Sequence, residues 1–267
     1  MNPSNDSERD SYVARDQARA RRRHAAENVL RDLGARPAPE LTVADRSTVR
    51  ALDALLAQTV RAGRHSSGAI RAYSSLIEDA HPASNASHWA EKIERSAGEL
   101  DAFVARLATL RVCESEKPTP MEWGDAMSRV AARCASIGVC TIEVTDRSRG
   151  AFRQRAELVG RILFQLVRNA VEATPRGGLV RVRVDEVRLD GARGGHIRVD
   201  DTGAGMPHDR VEEVWRPFVT DKRGHPGLGL AYVATCAPLV GALAGIRSTN
   251  DGTEAHLILE EEGGLEW

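Results

Sequence analysis

Aromatic residues are scarce: four Trp, three Tyr and four Phe make up 4% of 267 residues. So few rings offer no stacking platform for single-stranded nucleic acid. Charge of one sign is also missing. A net charge of −1, with 28% charged residues, gives no electrostatic ground for nucleic acid or an anionic membrane as main partner. No apolar run approaches the roughly eighteen residues that cross a bilayer. The polar start, Met1-Asn2-Pro3-Ser4-Asn5-Asp6, lacks the apolar stretch of a signal peptide. Cys113, Cys134, Cys140 and Cys236 show neither CxxC nor Cys/His ligand spacing. They read as free thiols in a reducing compartment. The expectation is a soluble, cytoplasmic protein.

What is present is 42% apolar residues, enough to core one large or two modest domains. Residues 1–10 read as a polar tail and Ser11–Leu33 as a short helix rich in Ala and Arg. Within it, Arg21-Arg22-Arg23-His24 reads as a solvated helix face, since acids are interspersed nearby; the other reading is a nucleic-acid or lipid contact. Gly34 to Pro39 breaks the helix. Apolar residues then recur at spacings of three and four from Thr42 or Asp45 to about Ala80, among them Val60, Ile70, Tyr73, Leu76 and Ile77. After a turn at His81–Ser87, a second amphipathic pattern runs to about Val112, through Trp89, Ile93, Ala97 and Leu100. One such hairpin cannot bury its own stripe, so pairing with a second copy into a four-helix bundle is expected.

Glu114 to Pro120 reads as a linker, and a mixed pattern follows. Helices are expected at 121–136, 156–173 and 227–240, and strands at 139–145, 179–188, 195–201, 243–248 and 254–260. Arg188 to Gly195 reads as a hairpin turn and the last residues as a tail. The expected domains are 1–40, a tail and short helix; 41–113, the hairpin; 114–120, the linker; 121–260, the mixed domain; and 261–267, the tail.

The chemistry concentrates between Val199 and Leu230. Asp201-Thr202-Gly203-Ala204-Gly205 closes a strand, and Gly227-Leu228-Gly229-Leu230 opens a helix. Paired glycines let backbone approach a ligand, and a glycine-opened helix offers N–H groups and a positive dipole end to phosphate. The polar, Pro-punctuated residues between them read as a mobile flap over a phosphorylated ligand. Upstream, Leu163-Phe164-Gln165-Leu166-Val167-Arg168-Asn169-Ala170-Val171-Glu172-Ala173-Thr174-Pro175 sets Asn169 beside an apolar stripe. Taken alone, that amide reads as a surface or helix-packing residue. Trp215-Arg216-Pro217-Phe218-Val219-Thr220-Asp221-Lys222 puts an aromatic anchor before a Thr and a Lys suited to phosphate, and Asn250-Asp251-Gly252-Thr253 precedes the last strand.

In this order and spacing the five pieces resemble the ATP-binding domain shared by histidine protein kinases, Hsp90-type chaperones, DNA gyrase B and MutL-type repair proteins. The Trp215–Lys222 box and the preceding hairpin point to the histidine-kinase branch, and Asn-Ala-Val-Glu-Ala-Thr-Pro is similar to kinases of the nitrogen-regulation type. The resemblance covers residues 42–260. It implies an α+β protein: a helical hairpin dimerisation and phosphotransfer domain, then a Bergerat-type α/β sandwich, a mostly antiparallel sheet with helices on one face. It implies ATP and Mg²⁺ as cofactors, with Asn169 as the Mg²⁺ ligand. Asp201 would accept from the adenine amino group, and Gly203 and Gly205 would shape the turn beneath the nucleotide. Gly227, Leu228 and Gly229 would cradle phosphate, and Thr253 would line the adenine pocket. Thr220, Lys222 and Arg223 would belong to the lid and neutralise γ-phosphate. Arg168 reads either as a further phosphate ligand or as an exposed arginine. The implied activity is transfer of the γ-phosphoryl of Mg·ATP to a histidine, and onward to a response-regulator receiver domain, in a homodimer.

The chain departs from the family at several positions. Gln165 stands where the chaperone and repair branch carries a catalytic Glu, so rapid hydrolysis is disfavoured. His225-Pro226 replaces Gly-Thr before Gly227. In the hairpin, Ile70 to Ile77 matches the wording downstream of the family's acceptor histidine, yet nine residues back stands Arg61, followed by Ala62 instead of an acid. A guanidinium stays protonated and cannot attack phosphorus. His65, one turn on, reads either as a displaced acceptor or as a surface or bundle-face histidine. Two alternatives therefore stand beside the kinase: an ATP-binding dimeric regulator without its own acceptor, and a kinase acting in trans on another protein.

Overall fold

The computed structural model describes residues 3–39, 60–61, 63–65, 67–77, 79, 85–108, 116–222, 225 and 227–261. The expected start of the first hairpin helix, Ala62, the 81–84 turn, Cys113, Arg223 and the last six residues lie outside the described residues. The chain divides into two units. One comprises Met1–Leu41, Ser115–Val219 and Gly227–Trp267; the other comprises Thr42–Glu114 and Thr220–Pro226.

The first unit is built on a six-stranded sheet in the order β1-β7-β8-β6-β5-β3. Its strands are β1 (Arg36–Pro37), β3 (Thr141–Asp146), β5 (Leu179–Leu189), β6 (Ala192–Asp201), β7 (Ala242–Thr249) and β8 (Gly252–Glu260). Only β3 and β5 pair in parallel; the other pairs are antiparallel. Period-two alternation divides the sheet into two faces. Val180, Val182, Val184, Ile197, Val199, Leu257 and Ile246 share one face, all at most 2% exposed. Helix α5 (Ala156–Ala173) covers it, flanked by α4 (Trp123–Ala135) and α7 (Gly229–Cys236). Eleven of the 18 residues of α5 are buried. Thr174 leaves the helix in an extended conformation, as the residue before Pro175 must. At the other end the Glu116 carboxylate accepts from the N–H groups of Glu157 (2.7 Å) and Leu158 (3.0 Å), satisfying donors that the helix cannot.

The opposite face carries charge pairs, including Arg198–Asp185 at 2.6 Å and Arg247–Glu254 at 2.6 Å. It is also covered, which the expectation of helices on one face missed. Helix α1 (Pro3–Asp32) is 30 residues long, reaching back through the stretch read as a tail. Its last turns set Ala26 and Leu30, with Ala35 beyond, against Leu189 and Ile258. Leu30 is fully buried, and a Cβ on Gly245 would stand 2.9 Å from it. Arg22 pairs with Glu260 at 2.8 Å and Arg21 with Asp190 at 3.0 Å. Gly34, at φ 66, turns the chain into β1, which adds an edge to β7.

His196 and His256 also lie within this face, ring centroids 5.4 Å apart, with Nε2 of the first 3.1 Å from Nδ1 of the second. Burial pushes both rings down to about 4, and for His196 the facing His256 adds to the effect.

Two further expectations need correction. The β5–β6 hairpin does not turn over 188–195. Its loop is Asp190-Gly191, both at positive φ (49 and 81), between paired Leu189 and Ala192. That is the two-residue Asp-Gly turn whose twist matches the flanking strands. The 114–120 segment is not wholly a linker either: β2 (Thr119–Met121) pairs with β4 (Phe152–Gln154) in a second, two-stranded sheet.

In the second unit, α2, described between residues 60 and 79, faces α3 (Asn85–Ala108). Val60, Ser67 and Ser74 on α2 and Ala90, Ala97 and Val104 on α3 are buried, each set at seven-residue spacing. A Cβ on Gly63 would run into Val104. The Ser67 hydroxyl donates to Asp101, which also pairs with Arg71 at 2.7 Å. Ile70, Tyr73, Leu76, Ile77, Trp89 and Ile93 are exposed, Tyr73 at 68%. Among the described residues no helix is long and apolar enough to cross a membrane.

Candidate nucleotide-binding site

The site grows from the end of β6. Asp201 ends the strand, and its Oδ1 accepts from the N–H groups of Gly203 (2.8 Å) and Thr253 (3.3 Å). Two backbone donors on one oxygen hold the carboxylate in a single orientation. Gly203 sits against the end of α5, where a Cβ would come within 2.6 Å of the Ala173 carbonyl oxygen. Gly205, at φ 64, leaves no room for a side chain against the Thr249 carbonyl. Ser248 ties the pieces together. Its hydroxyl oxygen accepts from Met206 N–H (2.8 Å) and lies 3.0 Å from Thr253 Oγ1. Sequence reasoning missed Ser248; the only signal available was its cross-strand pairing with Thr253.

One turn before the end of α5, Asn169 meets the start of α7. A Cβ on Gly229 would lie 3.2 Å from Gln165 Oε1, 3.3 Å from Asn169 Nδ2 and 3.4 Å from an Arg168 Nη atom. Leu228 occupies the N-cap without a side-chain cap bond, and the first turn of α7 holds no acid. Backbone N–H groups and a positive dipole end are therefore gathered beside an amide and a guanidinium. Arg168 is not the exposed arginine of one sequence reading: it is 9% exposed and pairs with Glu172 at 3.6 Å.

The flap leaves and rejoins this unit at a closed neck. Phe218 N–H donates to the Gly227 carbonyl at 2.9 Å. Gly227 is at φ 65, and a Cβ there would sit 2.7 Å from the Phe218 backbone. Trp215, 1% exposed, is the buried anchor, whereas Phe218 is 76% exposed with φ 67. Thr220 and Lys222 fall in the second unit, where Lys222 N–H donates to Thr220 Oγ1 at 3.1 Å. His65 and Arg61 are both exposed on α2. The structure thus brings Asn169 to Gly229, Asp201 to Gly203 and Thr253, and Gly205 to the β7–β8 turn.

Residues 154–263 match the family described as histidine kinase-, DNA gyrase B-, and HSP90-like ATPase. Sensor protein DivL of Caulobacter vibrioides is 35% identical over 123 residues, 44% of this chain and 15% of that protein. Sensor kinase CckA of Brucella abortus is 26% identical over 152 residues, 52% of this chain and 16% of that protein. The matches therefore span less than a fifth of either relative's own length. Among solved structures, full-length ShkA in complex with AMPPNP superposes with a TM-score of 0.61 at 20% identity, covering 77% of this chain and 45% of that one. The histidine kinase AdeS of Acinetobacter baumannii gives 0.50 at 11% identity, covering 74% and 97%. The fold is that of these kinases, and the chain carries a histidine-kinase-type ATPase domain of this family, related to sensor kinases.

Proposed function

We propose that this chain binds Mg·ATP between α5 and α7 and transfers its γ-phosphoryl to a histidine, for relay to an aspartate of a receiver-domain partner. The observation that carries the reading is the meeting of Asn169, Gly229 and the uncapped start of α7, with the doubly held Asp201 carboxylate on the neighbouring strand. The neutral amide oxygen of Asn169 is a hard ligand of the kind Mg²⁺ takes, and the missing Cβ at 229 leaves room for phosphate beside it. The ion, when bound, would supply charge neutralisation to the phosphates. Asp201 accepts from the adenine amino group while Thr253, held by Ser248, lines the pocket. Gly227, Leu228 and Gly229 present N–H groups to the phosphates, and the resemblance assigns Thr220 and Lys222 to the lid. Gln165 cannot act as a general base, so transfer is favoured over hydrolysis. ShkA, a fold relative, was crystallised with the ATP analogue AMPPNP, which supports the ligand class.

The hairpin supports dimerisation. Its inner seam is small, and its large apolar residues are exposed and suited to a second copy. A cytoplasmic location and a receiver-domain partner complete the reading.

A second reading is favoured by Arg61, which stands where the acceptor histidine is expected. Under it the chain is either an ATP-binding dimeric regulator or a kinase acting in trans on a histidine or serine of another protein. Incubation with γ-labelled ATP, with and without His65→Ala, separates these. Acid-labile, base-stable label on the wild type that vanishes in the variant supports His65 as acceptor. Nucleotide binding without label supports the regulator, and label only on an added protein supports transfer in trans.

A further inference from the structure

Between the Gly205 turn and the Trp215 anchor the chain runs largely exposed, and Val211 alone is buried. This segment holds one short helix, α6 (Arg210–Glu213). At its start Met206 N–H donates to Ser248, whose hydroxyl lies 3.0 Å from Thr253 Oγ1. Its outer side is held by a residue distant in the chain. Arg36 Nη1 donates to Glu212 Oε1 at 2.5 Å, and Arg36 Nη2 meets His208 Nε2. A guanidinium has donors only, so the imidazole nitrogen is the acceptor. One planar fork on two residues fixes the orientation of a segment as well as its distance.

The place of β1 explains the reach. Arg36 pairs with Ile246 of β7, and residues directly opposite one another share a face of the sheet. Ile246 belongs to the face that α5 covers, so Arg36 emerges on the α5 side. Helix α1, a few residues earlier, is seated on the other face through Ala26 and Leu30. The N-terminal segment thus passes round the sheet edge, and Ala38 N–H donates to the Ala244 carbonyl at 2.8 Å. The Arg36 and Glu212 side chains are 36% and 72% exposed. Exposed pairs of this kind add little to stability, so the fork sets a position more than it holds the fold.

We propose that Arg36 is a positioning residue for the nucleotide site, and that the seat of α1 and β1 sets ATP affinity through it. This rests on the ATP-binding reading above and goes beyond it, because Arg36 lies outside the matched family region, residues 154–263. The route is short and continuous. Arg36 fixes His208, two residues beyond Met206. Met206 is held by Ser248, Ser248 touches Thr253, and Thr253 N–H donates to Asp201 at 3.3 Å. Releasing the fork frees the outer side of residues 206–214 and loosens the Met206 end of that route. The N-terminal segment is then an input to the nucleotide site, and its grip is weak enough to be broken without unfolding the domain.

The test is titration of the full chain with ATP and Mg²⁺ for wild type, Arg36→Met, Arg36→Lys, Glu212→Gln and Ser248→Ala, and for Arg36→Met combined with Ser248→Ala. Arg36→Met should weaken ATP binding by about threefold or more, with the melting temperature held. Glu212→Gln breaks the same contact from an exposed side chain and should act in the same direction. Arg36→Lys should recover part of the loss, having the charge without the fork. Amide hydrogen exchange should quicken over residues 206–215 and not in α1 or β7. In the Ser248→Ala background Arg36→Met should add little, because both lie on one route. An ATP affinity within about threefold of wild type in both Arg36→Met and Glu212→Gln overturns the inference, as does a fully additive loss in the double variant. So does a loss that comes with a lower melting temperature and faster exchange across α1 and β7, which marks Arg36 as structural only. Each of these leaves the ATP site standing, whereas absence of nucleotide binding to the wild type overturns both.

Discussion

The nucleotide unit and the hairpin both spend small residues at their closest approaches, for opposite reasons. In the nucleotide unit Gly203, Gly205, Gly227 and Gly229 stand where a Cβ would collide with carbonyls or site side chains. They clear a space bounded by donors and a fixed carboxylate. In the hairpin Gly63, Ser67, Ser74, Ala90 and Ala97 line the seam between α2 and α3. They let two helices meet and leave Tyr73, Leu76 and Trp89 outside. On the proposed reading one unit is shaped around a small anionic ligand, the other around a second copy. Chemistry is crowded into the first unit, whereas in the second the expected acceptor position holds an arginine.

If the two units answer to different forces, changes in one should leave the other untouched. The largest effect is expected at Leu30, fully buried against the sheet's outer face. Leu30→Ala should cost the nucleotide unit about 3–4 kcal/mol, read as an earlier thermal transition, while hairpin-mediated association persists. Acid should come next. The buried His196–His256 pair titrates near 4 in the folded protein, whereas an unfolded chain takes up these protons from about pH 6.5 downward. Stability above pH 6.5 is therefore unaffected by the pair. It falls as pH drops from 6.5 towards 4, by on the order of 3 kcal/mol for each ring, and then levels off. His256→Asn should flatten that slope in pH-dependent denaturation. The smallest effect is expected on the hairpin face. Trp89→Ser should weaken self-association by about 1–2 kcal/mol, seen by sedimentation, with ATP affinity unchanged. Loss of nucleotide binding on monomerisation would break the separation.

Much of the first unit was legible in the sequence. The bounds of α5 follow from an unbroken apolar stripe stopped at Thr174-Pro175, and β5 from the alternation of Val180, Val182 and Val184. The seat of α1 was not legible, because the helix is polar nearly throughout and docks through few apolar residues, Ala26 and Leu30 foremost. Gly194-Gly195 suggested a loop, but these glycines lie within β6, pairing with Leu259 and Glu260 of β8, and the turn belongs to Asp190-Gly191. The β2–β4 pair was hidden by Pro118 and Pro120, which read as linker. The site glycines and Asp201 announced themselves by spacing. Ser248 and the burial of Arg168 did not, since both depend on contacts between elements distant in the chain.

The central claim, that Asp201, Asn169 and Gly229 belong to an Mg·ATP site, is tested most directly by titrating the full chain with a fluorescent ATP analogue beside Asp201→Asn. The account predicts saturable binding of one nucleotide per chain that weakens when Mg²⁺ is removed. It also predicts a fall of about thirtyfold or more in Asp201→Asn, where the charged acceptor for the adenine amino group is lost. Equal affinity in wild type and variant, or no saturable binding to the wild type, would contradict it.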